Sequence, residues 1–287
     1  MKKLIVLLLL VGLTGAVAFA GGSSEAATEK EGFSGSYTFG GSTTVEPIAL
    51  GAIEAFMEMH PNVKLSYEGT GSSSGVKGVL AGTYALGGAS RALKDSELEK
   101  GAVPNQIAAD GLAVVVNNSV PMDNMSMEDC AKIFSGEVRN WKDVGGPDKP
   151  IVVVNRDEAS GTRGAFLELL LDAHYGKKKG KFIADAITTE SNGDMVAKVG
   201  TTPDSIGYCG FGFIDQAKKF GAKPLSLEGA DPTVANVKSG KYPVQRPLNM
   251  ASNGELKPGS LEKAFIDFLL SPEGQKIVKD EGFMAIR

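Results

Sequence analysis

Apolar and polar positions along this chain switch repeatedly between a two-residue and a 3.6-residue period. Ser36–Phe39 reads as a strand, and Val63–Glu68 alternates apolar with polar residues as a half-buried strand does. Leu86–Ala89, Leu112–Val116 and Ile151–Val154 are continuous apolar or β-branched runs, the pattern of strands buried on both faces. Between them lie helical periods. Val45–Met59 places Ile48, Ala52, Phe56 and Met59 on one face and stops at Pro61. Val76–Ala81 turns Val76, Val79 and Leu80 inward. Ser126 caps a helix that runs to Ile133 and Phe134. Ala165–Tyr175 packs through Phe166, Leu169 and Leu170. Met195–Val199 reads as a short helix and Ser205–Phe213 as a glycine-rich strand region. Leu261–Leu270 and Gly274–Lys279 form terminal helices with Pro272 between them. Strands alternating with helices predict an α/β fold, in which ligands bind beyond the C-terminal ends of strands where helices begin.

Three strings of Gly, Ser and Thr occupy that strand-to-helix position: Gly40–Thr44, Gly69–Gly75 and Ala159–Thr162. A helix start exposes unpaired N–H groups at the positive end of the macrodipole, and small or hydroxylated residues let an anion approach them. Ser42, Thr43 and Thr44 form the first candidate group, and Ser72 and Ser73 the second. Taken singly, the first is explained by helix capping and the second by a surface turn. The third is richer. A strand delivers Arg156 to its end, followed by Ser160, Gly161 and Thr162, with Glu158 placed to pair with the arginine and orient it. Arginine presents a rigid, always charged fork that matches phosphate oxygens. Ser90 and Arg91 follow another buried strand and are candidates for the same anion. Together the three strings point to one oxyanion held between helix starts.

The first twenty residues have their own pattern. Lys2 and Lys3 precede an apolar run, Leu4–Val11, and Ala18-Phe19-Ala20 has the form of a cleavage site. This predicts a secretory signal peptide over 1–20, followed by a flexible polar linker over 21–32. No later stretch is long and apolar enough to span a membrane. An exported protein of roughly 265 residues remains, enough for two ordinary domains or a single large one. Losing Lys2 and Lys3 takes the formal net charge from -4 to -6, which argues against a nucleic-acid partner. Export permits a disulfide between Cys130 and Cys209, although both also read as small buried residues. His60 and His174 are far apart in sequence, so neither a metal cluster nor a Ser-His-Asp triad is supported and no cofactor is expected.

The order and spacing of these strings resemble the phosphate-binding proteins of bacterial ABC transporters, in the periplasmic binding protein superfamily. The resemblance runs through Gly41-Ser42-Thr43-Thr44-Val45-Glu46-Pro47, Gly69–Lys77, Ala89-Ser90-Arg91, Ile133–Gly136 with Asn140-Trp141, Arg156–Arg163 and Ile206-Gly207-Tyr208. It implies two α/β lobes closing on dehydrated phosphate, one built from 33–112 plus 246–287 and the other from 113–245. It implies phosphate contacts from Thr43, Thr44, Ser72, Arg156, Ser160, Gly161 and Thr162, with Glu158 pairing with the arginine. It further implies a monomeric periplasmic receptor that hands phosphate to a membrane permease without turnover. One position departs from the pattern: better-known members carry an aspartate where this chain has Arg91. The alternatives are a receptor for sulfate, arsenate or molybdate, and a secreted phosphate-ester hydrolase with Ser72 or Ser160 as nucleophile and Arg156 as clamp.

Overall fold

A computed structural model describes residues 32–287. The expected signal peptide lies outside the described residues, as does all of the linker except Gly32.

The chain begins with β1 (Gly35–Gly41), α1 (Glu46–Met59), β2 (Val63–Glu68), α2 (Ser72–Leu80), β3 (Gly87–Ala89) and the short α3 (Asp95–Leu98). A long strand, β4 (Ala102–Asn117), leads to β5 (Asn124–Met125) and α4 (Met127–Ser135). Then come β6 (Val152–Arg156), α5 (Gly161–Phe166), a π-helical turn at Leu167–Leu171, α6 (Asp172–Tyr175), β7 (Ile187–Thr189) and α7 (Asn192–Thr201). After β8 (Ser205–Gly210) the chain forms α8 (Ile214–Phe220), β9 (Ala222–Pro224), β10 (Ser226–Leu227) and α9 (Val234–Lys238). It ends with β11 (Gln245–Asn253), α10 (Leu261–Leu269) and α11 (Pro272–Asp280).

Most strands form one sheet in the order β2-β1-β3-β11-β4-β8-β6-β7, with β9 pairing to β4, and β5 pairs separately with β10. Strand β4 joins the two halves. Its first part, Ala102–Gly111, lies antiparallel to β11, and Leu112–Val116 lies antiparallel to β8. Two apolar clusters follow the same division. One gathers Phe39, Ile48, Phe56, Leu86, Ile107, Leu248, Phe265 and Leu269. The other gathers Leu112–Val116, Phe134, Trp141, Phe166, Tyr208 and Val244. Gly111 lies between them in sequence, and Val244 accepts a hydrogen bond from the Leu112 amide where the chain returns. The fold is a mixed α/β arrangement in which β4 runs between the two apolar clusters.

Several expectations change in detail. Leu112–Val116 is the second part of a strand that starts at Ala102, because β11 pairs with the polar-interrupted stretch before it. Strand β11 was not anticipated. Helix α2 starts at Ser72 instead of Val76, so the three serines form its first turn. Met59, placed on the inward face of α1, is 48% exposed because the helix ends there. Cys130 and Cys209 are free and buried, and burial pushes the Cys209 thiol up to about 12.

In the first cluster Phe265 meets Phe39 and Phe56 at ring-centroid distances of 4.9 and 5.4 Å. Phe265→Ala removes a fully buried aromatic ring from this stack and is expected to destabilise the protein by about 3–5 kcal/mol. Denaturant unfolding of the two proteins checks this, and a loss below about 1 kcal/mol would show that the stack collapses around the gap.

Candidate anion-binding site

Three helix starts converge on one buried locus, and each is shaped locally by its sequence. Gly41, at φ +133°, turns β1 toward α1, and a Cβ there would lie 2.4 Å from the Gly88 carbonyl oxygen. Ser42 Oγ then accepts the amides of Thr44 and Val45 at 3.1 and 3.4 Å, which organises the start of α1. Gly71, at φ +86°, precedes α2. Ser160 caps α5 by accepting the Arg163 amide at 3.1 Å. Asp157 Oδ1 accepts the amides of Ala159 and Ser160 at 2.7 and 3.0 Å and so fixes the loop before the cap. Gly161 and Thr162 hold the first two positions of α5, where N–H groups lack intrahelical partners.

The two halves meet directly. Thr44 Oγ1 lies 3.1 Å from Thr162 Oγ1, and the Ser73 amide donates to the Ala159 carbonyl at 3.0 Å. Ser72 Oγ accepts the Ser90 amide at 3.1 Å and lies 3.4 Å from Ser90 Oγ. A Cβ added at Gly161 would fall 2.0 Å from Ser72 Oγ and 2.8 Å from Ser90 Oγ. Ser42, Thr43, Thr44, Ser72, Ser90, Arg156, Ser160 and Thr162 are all buried, and Ser73 is half-buried.

Arg156 supplies the charge. It is 2% exposed. Its Nε donates to the Thr189 carbonyl at 3.3 Å. Its Nη2 donates to the Glu190 carbonyl at 2.7 Å and to Thr43 Oγ1 at 3.4 Å. Its Nη1 has no partner, the one such buried side-chain nitrogen or oxygen among the described residues. Burial pulls this guanidinium below its ordinary value, yet arginine keeps its charge in proteins. The site therefore holds a buried cation with a free N–H group, next to helix starts that also donate.

Two expected roles change. Glu158 is exposed and makes no hydrogen bond to Arg156; carbonyls of the β7 end orient the guanidinium instead. Arg91 is buried, but both its terminal nitrogens are held by Glu97 at 2.8 and 2.7 Å, with further bonds to the Ala92 carbonyl and Ser73 Oγ. Its charge is thus neutralised beside the site. Burial pushes the Glu97 carboxyl up, but the hydrogen bonds from Arg91 and the Lys94 amide outweigh this and hold it below its ordinary value.

Sequence reasoning missed three residues here. Asn192 donates through Nδ2 to Thr43 Oγ1 and Thr44 Oγ1 at 3.1 and 2.9 Å. Arg246 reaches Thr44 and Thr162 and is paired with Asp110. The usable signal was Asp110 itself, an acid inside an apolar strand that requires a buried cationic partner. Among the described residues no group of His, Cys, Asp and Glu is placed to hold a metal.

Comparison with known proteins places the chain in a family. The model of the PBP superfamily domain matches residues 23–273. The phosphate-binding protein PstS of Borreliella burgdorferi is 36% identical over 251 residues, covering 87% of this chain and 90% of that protein. The PstS of Bacillus subtilis is 32% identical over 295 residues, covering 99% and 94%. The chain belongs to the PstS family of the PBP superfamily. A solved structure from Clostridium perfringens, assigned to a phosphate ABC transporter as its substrate-binding protein and holding bound phosphate, superposes with a TM-score of 0.80. It is 33% identical and covers 88% of this chain and 100% of its own. An ABC-type phosphate transport receptor from Vibrio cholerae gives a TM-score of 0.71 at 30% identity, covering 88% and 100%. Arg156 and the three helix starts are what this PstS-family chain offers an anion.

Two tests follow from the geometry. Gly161→Ala is the first test, because Gly161 opens α5 at the point where the halves approach, and folding of the variant is checked by circular dichroism. Its Cβ collides with Ser72 Oγ, so anion affinity should drop by at least about tenfold, or 1.4 kcal/mol; binding as tight as wild type would show that the helix starts do not meet around the ion. The second concerns acid. Because the Glu97 carboxyl is depressed in the folded state, its contribution is present above the unfolded value of about 4.3 and is lost as pH falls through the folded value. Glu97→Gln should therefore flatten the decline in stability below about pH 4, as read by thermal melts across pH. An unchanged slope would place the acid sensitivity elsewhere.

Proposed function

We propose that this chain is a periplasmic solute-binding protein that captures inorganic phosphate for an ABC importer and binds it without turnover. The observation that carries this reading is Arg156 Nη1, a buried, unpartnered donor on a charged side chain at the meeting point of the helix starts. An oxyanion would complete its hydrogen bonding and receive donors from Thr43, Thr44, Ser72, Gly161 and Thr162. The relatives' names, phosphate-binding protein PstS, support phosphate as that anion. The membrane permease of the importer is the second partner.

The finer features belong to the same proposal. The leader over 1–20 is removed on export. The lobes divide at 33–112 plus 246–287 and 113–245, consistent with two apolar clusters that meet near Gly111 and Val244. The receptor works as a monomer and, being acidic, takes no nucleic acid. No helix among the described residues is long and apolar enough to cross a membrane.

A specific observation keeps a second reading in view. With Arg91 neutralised by Glu97 and Asp110 held by Arg246, neither position offers a free carboxylate to accept a proton from phosphate. This favours a receptor for a fully ionised oxyanion such as sulfate. The hydrolase reading has less support: Ser160 Oγ caps a helix, Ser72 Oγ receives an amide, and His60 packs on Phe33 and Phe56.

Calorimetric titration of the mature protein with phosphate and sulfate at pH 5 and 8 separates these readings. Phosphate binding with negligible sulfate binding is expected. Arg156→Ala should leave the fold intact and weaken phosphate on the order of a hundredfold, the loss of two charge-assisted hydrogen bonds. Unchanged affinity in a folded variant would remove Arg156 from the site.

A further inference from the structure

We infer that Arg246, held by Asp110, is a positioning and specificity-determining residue that fills acceptor sites on the Thr44 and Thr162 hydroxyls and so turns the Thr162 proton toward the anion. The inference rests on the reading of the site as an oxyanion receptor.

Arg246 and Asp110 face each other in the β11/β4 register, at the place where the chain passes between the two apolar clusters. They are 2% and 0% exposed. All five N–H groups of Arg246 are engaged. Nε and Nη2 donate to Asp110 Oδ2 at 3.0 and 2.7 Å, and Nη1 donates to the Ser90 carbonyl at 3.0 Å. The remaining two reach Thr162 Oγ1 at 2.9 Å and Thr44 Oγ1 at 3.2 Å. Unlike Arg156, this guanidinium has no free N–H group, and Asp110 offsets its charge. It acts through the hydroxyls it touches.

A hydroxyl has one proton to donate and two lone pairs to accept with. Thr44 Oγ1 accepts from Arg246 and from Asn192 Nδ2, so both lone pairs are filled. Its proton must go to Thr162 Oγ1 or to the anion. Thr162 Oγ1 cannot return a proton to the saturated Thr44, so its own proton points to the anion in either case. With Thr44 saturated, and Thr162 holding the Arg246 bond, this end of the site favours unprotonated oxygens. A protonated phosphate oxygen must turn elsewhere. The same contacts tie the crossing strands to helix starts from both halves, because Thr44 lies in the turn just before α1 and Thr162 lies in α5.

The test is a cycle of variants. Asp110→Leu/Arg246→Met removes both charges together, since removing one alone strands a buried ion. Thr44→Val/Thr162→Val removes the hydroxyls. Phosphate and sulfate affinities are measured by calorimetry for wild type, each pair and the combined variant, with folding checked by circular dichroism. Removing the ion pair should weaken anion binding by about tenfold or more in wild type and by less than about threefold when the threonines are valines. The ratio of phosphate affinity at pH 8 to that at pH 5 should shrink along with it. Equal losses in both backgrounds, with an unchanged pH ratio, would overturn the inference. If the ion-pair variant does not fold, Arg246→Lys takes its place. It keeps the charge but lacks the fork that reaches both hydroxyls, so the same non-additivity is expected, and full affinity with lysine overturns the inference. Wild type that binds sulfate but not phosphate overturns the phosphate reading alone, and the cycle is then read with sulfate by the same criteria. Wild type that binds neither overturns both.

Discussion

A guanidinium buried without a carboxylate partner is the constraint around which this site is built. Taking a cation out of water costs several kcal/mol even after relaxation. Arg156 meets that cost only in part, through two backbone carbonyls at the end of β7 and one threonine hydroxyl. The other two buried arginines each have an acid, Glu97 for Arg91 and Asp110 for Arg246. Arg156 alone of the three buried arginines lacks a bonded acid, and its charge is reinforced by helix starts whose free amides carry the positive end of their dipoles. Such a site has an electrostatic demand for an anion, and the two halves close over it through the Thr44–Thr162 and Ser73–Ala159 contacts.

Each helix start needed a local device to come this close. Gly161 leaves room for Ser72 Oγ, and Gly41 passes within reach of the Gly88 carbonyl. These glycines are required by approach distance more than by turn geometry. The capping serines act differently. Ser42 and Ser160 use their oxygens on nearby amides, so their contribution is to fix the helix starts, while Thr43, Thr44 and Thr162 lie at the contact between halves.

Much of this was legible in the sequence because it depends on local rules. Hydroxyl-rich strings before helices, Arg156 at a strand end and the alternation of periods are all short-range signals. What was not legible depends on pairing across the chain. Strand β11 carries a proline and several polar residues, so its period is masked, and only its pairing with β4 reveals it. Arg246 is 136 residues from Asp110, and nothing near it in sequence marks it as part of the site. Glu158 looked suited to Arg156 by spacing, but the chain turns through the Asp157 loop and carries Glu158 outward. Arg91 looked like a ligand because its partner Glu97 lies on a later turn, where sequence alone shows only another surface acid.

The distribution of charge also bears on how one oxyanion is told from another. A carboxylate at the site would accept a proton from phosphate and repel an ion that has none. In this chain Glu97 and Asp110 are committed to arginines and Asp157 to the amides of its own loop, so these carboxylates serve to hold donors in place. Discrimination then has to come from which oxygens can accept and which cannot. The Thr44 hydroxyl is saturated by nitrogen donors, whereas Ser72 and Ser90 sit 3.4 Å apart and, among the described residues, the Ser90 amide alone is directed at Ser72 Oγ. Acceptor capacity that Thr44 lacks remains on that serine pair, next to Thr162, since Arg246 Nη1 donates to both the Ser90 carbonyl and Thr162 Oγ1. Selectivity is thereby a matter of orientation: the protein fixes where a proton on the anion can be placed, and the buried arginine fixes that an anion must be there at all.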